Sequence, residues 1–380
     1  MIKKFFAVMA AVFFVLLAAR PICAEEAANT EEPDVSAYAA VLYDPVSGAV
    51  LYEKNSREVL PMASTTKIMT ALLAFESGRA EENVEVTQEM VAVEGSSMGL
   101  KAGDVLTLGA IAQGMMMASG NDGANAIALL LGGDAEGFAE MMNGRAAEIG
   151  MTQTNFVTPS GLDAEGHGST AYDMALLGAE AMRCPAFVET VGATSLQVQF
   201  QSPEKTVWYE NHNRLLRLYE DCTGIKTGFT KKAGRCLVSA AERDGVQLIC
   251  VTLNAPDDWN DHIALFEYGF SQFEMRTLSD ELPFEYTVPV VGGEVETLRC
   301  QVEGEASATL YKDAEVSVEI VLPHFVYAPV EAGTVLGTVT YTVNGAPVAQ
   351  LPLTAAESVT LAPDTRSGFQ KWVDRVFRRE

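Results

Sequence analysis

Cysteine and histidine are both scarce in this 380-residue chain, which has six of the first and four of the second. The cysteines (Cys23, Cys184, Cys222, Cys236, Cys250 and Cys300) form no Cys-x-x-Cys, and the histidines (His167, His212, His262 and His324) stand apart from one another. This spacing offers no zinc ligand set, so no metal is expected, and there are too few cysteines to scaffold a chain of this size with disulfides. Positive charge is also short: 26 Lys and Arg face 51 Asp and Glu, a net charge of −25. A body this acidic repels phosphate backbones, which excludes nucleic acid as a partner. There is no cofactor motif, no internal repeat and no low-complexity tract. Beyond the N-terminus no run of eighteen apolar residues occurs, so nothing there is expected to span a bilayer.

What is present is a hydrophobic fraction of 48%, enough for a substantial core. The length favours two domains over one. Residues 1–24 carry three cations (Lys3, Lys4 and Arg20) and no acid, with an unbroken apolar run from Phe5 to Ala19. A basic start, a fifteen-residue apolar stretch and a small residue at Ala24 predict a secretory signal peptide; an uncleaved anchor is the alternative. Residues 25–37 read as a flexible acidic lead-in.

The segment 38–275 predicts an α/β domain. Two strands flank the turn Asp44–Gly48, and a nearly all-apolar helix follows Ser64. Further helices are expected from Thr107, through "GANAIALLL", over Asp134–Ile149 and over Thr170–Met182. After Val191 the texture turns to strands: "GIKTGFT", "CLVSAAE" and "VQLICVTLN" read as neighbours in an antiparallel sheet, closed by an amphipathic helix in "DDWNDHIALFEYGFSQF". Residues 281–362 hold two cations and eleven acids. Their period-two runs and the Asn344-Gly345 turn predict a small all-β domain. In the last stretch, 363–380, the balance reverses to five cations and three acids. Phe369, Trp372, Val373, Val376 and Phe377 share one helical face, the pattern of an amphipathic helix lying on an anionic bilayer; a helix docked on the β domain is the alternative.

Three short motifs carry chemistry. Ser64-Thr65-Thr66-Lys67 is a Ser-x-x-Lys string, of which about one is expected by chance in a chain this long. The chain supplies its own decoy in Ser202-Pro203-Glu204-Lys205, set in a polar turn. Ser64 instead opens the most apolar helix, and the i, i+3 spacing puts Lys67 on its face. A serine hydroxyl needs a base, and a lysine serves if burial and neighbouring cations lower its pKa from about 10.4. Alone, Ser64 reads equally as a helix N-cap. Ser119-Gly120-Asn121 sits between two helices, where it is either a plain turn or a hydroxyl and an amide offered to a cleft. Lys226-Thr227-Gly228 lies within a strand, where a cation and a hydroxyl suit a carboxylate and Gly228 admits a ligand backbone; an exposed strand lysine is the alternative.

In this order the trio resembles that of the penicillin-recognising serine enzymes. Within them the chain is similar to the low-molecular-mass penicillin-binding proteins that are serine-type D-alanyl-D-alanine carboxypeptidases, over "LPMASTTKIMTALLAFE", "KAGDVLTLGAIAQGMMMASGNDGANAIA", "NFVTPSGLDAEGHGSTAYDMALL", "NHNRLL", "GIKTGFT" and "AGRCLVSA". The resemblance implies a β-lactamase/transpeptidase-like catalytic domain and cleavage of the terminal D-Ala–D-Ala bond of peptidoglycan stem peptides, with β-lactams as covalent inhibitors and no cofactor. It implies Ser64 as nucleophile, Lys67 as general base, Ser119 as proton relay and Asn121 as orienting amide. Lys226 and Thr227 would bind the terminal carboxylate beside Gly228, and the backbone N–H groups of Ser64 and Phe229 would form the oxyanion hole. Relatives often carry histidine where this chain has Phe229. A class A β-lactamase, which would need a deacylating glutamate such as Glu165, and a non-hydrolytic penicillin sensor are the competing readings. Cys222 and Cys236 flank the Lys-Thr-Gly strand; as cross-strand neighbours they would be a disulfide or two buried thiols. His212 reads as structural or surface.

Overall fold

The computed structural model describes residues 31–281, 286–363, 367–369 and 376–377. The predicted signal peptide and most of the predicted C-terminal helix lie outside the described residues.

The centre of the first domain is a five-stranded antiparallel sheet. Its strands are β1 (Ala39–Tyr43), β2 (Val50–Lys54), β3 (Cys222–Thr230), β4 (Gly234–Arg243) and β5 (Val246–Leu253), in the order β2-β1-β5-β4-β3. Both faces are covered, which is why β1 reads as an unbroken apolar run rather than an alternation. Ala39, Val41 and Tyr43 face the larger core, while Ala40 and Leu42 face the smaller one. The smaller core is closed by Leu265, Phe266 and Phe270 of the helix Asp258–Phe270.

The larger core surrounds helix α1 (Lys67–Glu76), whose Ile68, Met69, Ala71, Leu72 and Ala74 are fully buried. Around it pack α2 (Leu108–Ala118), α3 (Asn121–Gly132), α4 (Ala135–Ile149) and α5 (Ala171–Ala181). The helices begin where they were expected, and their first turns are capped: Thr107, Asp134 and Thr170 accept from the backbone N–H of Ala110, Gly137 and Asp173.

The second domain is a six-stranded sheet ordered Val316–Val321, Val335–Val343, Ala346–Ala355, Thr297–Val302, Tyr286–Val291, Val326–Tyr327. Asn344 (φ 51°) and Gly345 (φ 81°) both take positive φ, as the tight hairpin turn predicted there requires. The architecture is the mixed α/β domain plus all-β domain expected from the sequence. The strand Phe273–Thr277 pairs with Ser307–Tyr311 of the β domain. Tyr311 donates to Asp44 Oδ2 at 2.6 Å, and Thr309 donates to the Asp244 carbonyl at 2.8 Å, tying that pair to the first domain. No helix among the described residues is long and apolar enough to cross a membrane.

The cysteines correct one expectation. Cys222 pairs with Ala241 and Cys236 with Gly228, so the two are not cross-strand neighbours, and all five described cysteines are free thiols. The reason is where the hairpin turns: β3 runs to Thr230 and β4 starts at Gly234, so Cys236 lies near the turn and Cys222 at the far end of its strand.

One core group makes stability depend on pH. His262 is fully buried between Ser239 Oγ (2.5 Å from Nδ1) and Thr252 Oγ1 (2.9 Å from Nε2), and desolvation pushes its pKa down to about 3. Between that value and the ordinary value near 6.5, the unfolded chain binds a proton that the folded chain refuses, so stability is lost as pH falls through this window. The melting temperature is expected to drop from pH 6.5 to 4.5, and His262→Gln to show a shallower drop. An unchanged slope in scanning calorimetry would remove His262 from this role.

Candidate active site

Ser64 does not sit at the N-cap of α1. Residues Ala63–Thr66 form a 3-10 turn, α1 starts at Lys67, and no side chain caps either element. The hydroxyl is used differently: Lys67 Nζ lies 2.9 Å from Ser64 Oγ, 2.8 Å from Asn121 Oδ1 and 2.8 Å from the Ser160 carbonyl oxygen. Ser64 is half-buried, whereas Lys67 is 0% exposed. Its pKa lies well below 10.5, first because burial disfavours the charged form and second because the Lys226 ammonium is close; Asp122 opposes the shift.

Asn121 is held at the start of α3. Its Nδ2 donates to the Glu94 carbonyl at 2.7 Å, and its backbone N–H donates to the Ser96 carbonyl at 2.7 Å. Next to it, Asp122 accepts from the backbone N–H groups of Met98, Gly99 and Leu100 and from Ser97 Oγ at 2.6–3.0 Å. Sequence reasoning missed Asp122. Its signal was an acid in the first turn of a helix directly after Ser-Gly-Asn, where the dipole favours it.

β3 is an edge strand, as predicted, but Lys226 does not project from it into solvent. It is 2% exposed, donates to the Thr227 carbonyl at 2.9 Å, and desolvation lowers its pKa to about 7. Beside it Thr227, Gly228 and Phe229 face a cleft of about 300 Å³ together with Ser64 and Ser119. A Cβ on Gly228 would stand 3.0 Å from both Ser64 N and the Met62 carbonyl, so glycine there lets the strand lie against the serine turn.

Backbone strain marks the same place. Seven described non-glycine residues have φ in the left-handed region, and four of them are Asn or Asp, which tolerate it. The other three are Ala63 (φ 48°), Ser119 (φ 56°) and Ile225 (φ 88°): the residue before the serine, the second-motif serine itself, and the residue before Lys226. Each such conformation costs of order 1–3 kcal/mol and persists only where the surroundings impose it.

The remaining cleft wall was not foreseen. It includes Ser96, His212, Arg235, Asp258 and Trp259. Arg235 is paired with Asp258 at 2.6 Å. His212 is on the surface, one of the two readings from the sequence, but on the rim of this cleft; partial desolvation by the cleft wall and then the charge of Lys226 lower its pKa. Glu165 is exposed and does not line the cleft. The decoy resolves plainly: Lys205 is bound to Asp104 at 3.2 Å, and Ser202 lies in a hairpin turn.

An antiparallel sheet carrying Lys-Thr-Gly on its edge, against a serine turn whose Ser-x-x-Lys ends in the first residue of a buried helix, defines the class of penicillin-recognising serine enzymes. The chain belongs to the peptidase S11 family of D-alanyl-D-alanine carboxypeptidases, whose family model matches residues 26–257; residues 270–361 match the penicillin-binding protein 5 C-terminal domain. It is 32% identical over 349 residues to the D-alanyl-D-alanine carboxypeptidase DacF of Bacillus subtilis, covering 89% of this chain and 90% of that protein. With DacC of Escherichia coli it shares 33% over 369 residues, covering 91% and 90%. Among solved structures, penicillin-binding protein 5 from Haemophilus influenzae aligns with a TM-score of 0.61 at 27% identity, over 87% of this chain and 99% of that one.

Proposed function

We propose that the protein removes the terminal D-alanine from peptidoglycan stem pentapeptides through an acyl-enzyme on Ser64, and that β-lactams acylate the same serine. The observation that carries this reading is the 2.9 Å contact between Ser64 Oγ and a fully buried Lys67 whose charged form is disfavoured. Lys67 takes the Ser64 proton as Oγ bonds to the carbonyl carbon of the penultimate D-alanine. The oxyanion is received by the backbone N–H groups of Ser64 and Phe229. When the C–N bond breaks, Ser119 passes the Lys67 proton to the leaving amine, and D-alanine departs. Water then hydrolyses the ester and restores the hydroxyl. Asn121 orients Lys67, Thr227 meets the substrate carboxylate beside Gly228, and Lys226 contributes its charge from beneath.

The test is D-alanine release from a stem pentapeptide. One D-alanine per tetrapeptide formed is expected, with none from a peptide ending in L-alanine. Penicillin acylation without D-alanine release would favour a sensor; rapid penicillin turnover would favour a β-lactamase. The exposure of Glu165 outside the cleft argues against the latter.

The reading extends to location. Residues 1–24 serve as export signal; the lead-in read over 25–37 ends sooner than expected, because Val35 and Ala37 are buried in the smaller core and Ser36 donates to Asp261. The catalytic domain of 38–275 is followed by the β domain of 281–362, which lifts the cleft towards the wall, and 363–380 forms an amphipathic anchor on the outer face of the membrane. The tail cations are set against a chain of net charge −25, so they suit anionic lipid. Deleting 363–380 is expected to abolish sedimentation with anionic liposomes while leaving D-alanine release unchanged, and salt should weaken the binding of the full chain. Equal sedimentation of both forms would remove the anchor role.

A further inference from the structure

A neutral lysine amine has two hydrogens and one lone pair. Lys67 has three partners: Asn121 Oδ1, the Ser160 carbonyl oxygen and Ser64 Oγ. The amide oxygen and the carbonyl can only accept. In the neutral amine they therefore take both hydrogens, and the lone pair is left facing the Ser64 hydroxyl. The Ser160 carbonyl is thus half of the device that aims the base.

Ser160 lies on an irregular loop, so its place must be set by contacts outside regular structure. Three contacts fasten that loop to the serine turn and to α1 behind it. Thr70 Oγ1 donates to the Pro159 carbonyl at 2.6 Å. Gly161 (φ 83°) packs so tightly that a Cβ would stand 1.8 Å from the Ala63 carbonyl oxygen. The third is His167. The Val157 N–H donates to its Nδ1 at 3.0 Å, so that nitrogen carries the lone pair and the proton resides on Nε2. Nε2 in turn lies 3.0 Å from Thr66 Oγ1, in the turn between Ser64 and Lys67. The imidazole is buried, and its Phe156 neighbour meets it edge-on.

We propose that His167 is a positioning residue for acylation: by bridging the Val157 N–H and Thr66 Oγ1 as a neutral imidazole, it locks the 157–168 loop to the serine turn and so fixes the carbonyl that aims Lys67 at Ser64. This rests on the reading of Lys67 as the base. Burial keeps the ring neutral by lowering its pKa to about 4; of the charges that face it, Asp163 opposes the shift and Lys232 adds to it. A protonated ring would turn an N–H towards the Val157 N–H and lose the bridge.

The two bonds can be cut separately. Thr66→Val removes the hydroxyl and keeps the shape. His167→Asn keeps an acceptor near the Nδ1 position but cannot reach Thr66; His167→Gln reaches Thr66. The readouts are the rate of acylation by a fluorescent penicillin across pH, the kcat and KM of D-alanine release, and the melting temperature, all on the full chain, with Ser64→Ala as control. Thr66→Val and His167→Asn are expected to slow acylation about tenfold to a hundredfold, the scale for a group displaced by about 1 Å, with KM near wild type and the acid limb of the profile displaced. His167→Gln restores the Thr66 bond but leaves the Val157 N–H without its acceptor, so its rate should lie between those of His167→Asn and wild type. Acylation by Thr66→Val within about twofold of wild type, with an unmoved pH profile, overturns the proposal even if His167→Asn does not fold. A fall in melting temperature with the pH profile unmoved also overturns it, since that is a purely structural role. Labelling that persists in Ser64→Ala overturns the underlying reading of the site instead, whatever the loop variants do.

Discussion

Ser64→Ala is expected to release no measurable D-alanine and to take up no fluorescent penicillin, a fall of about 10⁶-fold in kcat, the scale seen when a serine nucleophile is removed from a hydrolase. The fold should survive. The Ser64 side chain caps no helix and has one side-chain hydrogen-bond partner, Lys67 Nζ, at a half-buried position. Its loss leaves Lys67 two acceptors, Asn121 Oδ1 and the Ser160 carbonyl oxygen, which suit the neutral amine that burial already favours. Ser202→Ala is the matched control and should behave as wild type, because the Lys205 ammonium is engaged by the buried Asp104. Labelling that disappears in Ser202→Ala and persists in Ser64→Ala would transfer the chemistry to the other Ser-x-x-Lys.

Lys67→Arg is expected to cut acylation by about 10²- to 10⁴-fold, the range for a lost general base. A guanidinium remains protonated at any working pH and has no lone pair to offer Ser64. The larger, permanently charged group must also fit a site that is 0% exposed and close to Lys226, so the melting temperature should fall as well. The informative measurement is the pH profile. In the wild type, acylation should rise as pH passes through the depressed pKa of Lys67; in the variant it should stay flat and low. Near-normal acylation by a folded Lys67→Arg protein would assign the base to another group. A rise with pH that parallels wild type would do the same.

Much of this site was legible from local pattern. Within a helical turn, a serine three residues before a lysine lies on the same side as it, and the apolar run after Ser64, absent after Ser202, marks which copy is helical. An apolar surround on every face of α1 requires that helix to be central, so Lys67 is buried with it. The caps at Thr107, Asp134 and Thr170 and the Asn344-Gly345 turn are short-range effects, and they appear where the sequence puts them. The cysteine pairing failed for a different reason: placing Cys222 beside Cys236 puts the hairpin turn midway between them, at about residue 229, but β3 runs on to Thr230 and the turn falls at residues 231–233, so Cys236 meets Gly228 and Cys222 meets Ala241.

By itself, then, the sequence determined which chemical groups are available, the order in which they occur, and the local elements that carry Ser64, Lys67, Ser119, Asn121 and Lys226. Only the tertiary structure decided their electrostatic state. The lowered pKa of Lys67 comes from its depth and from a second ammonium on a distant strand, and both are distances that composition and spacing do not contain. Lys226 faces inward rather than into solvent because the bulge and the positive φ of Ile225 re-aim the strand just before it. The acceptors that orient the base include a backbone carbonyl, from Ser160, and every residue in the chain has one; which of them meets Lys67 is settled only when the 157–168 loop closes on the serine turn.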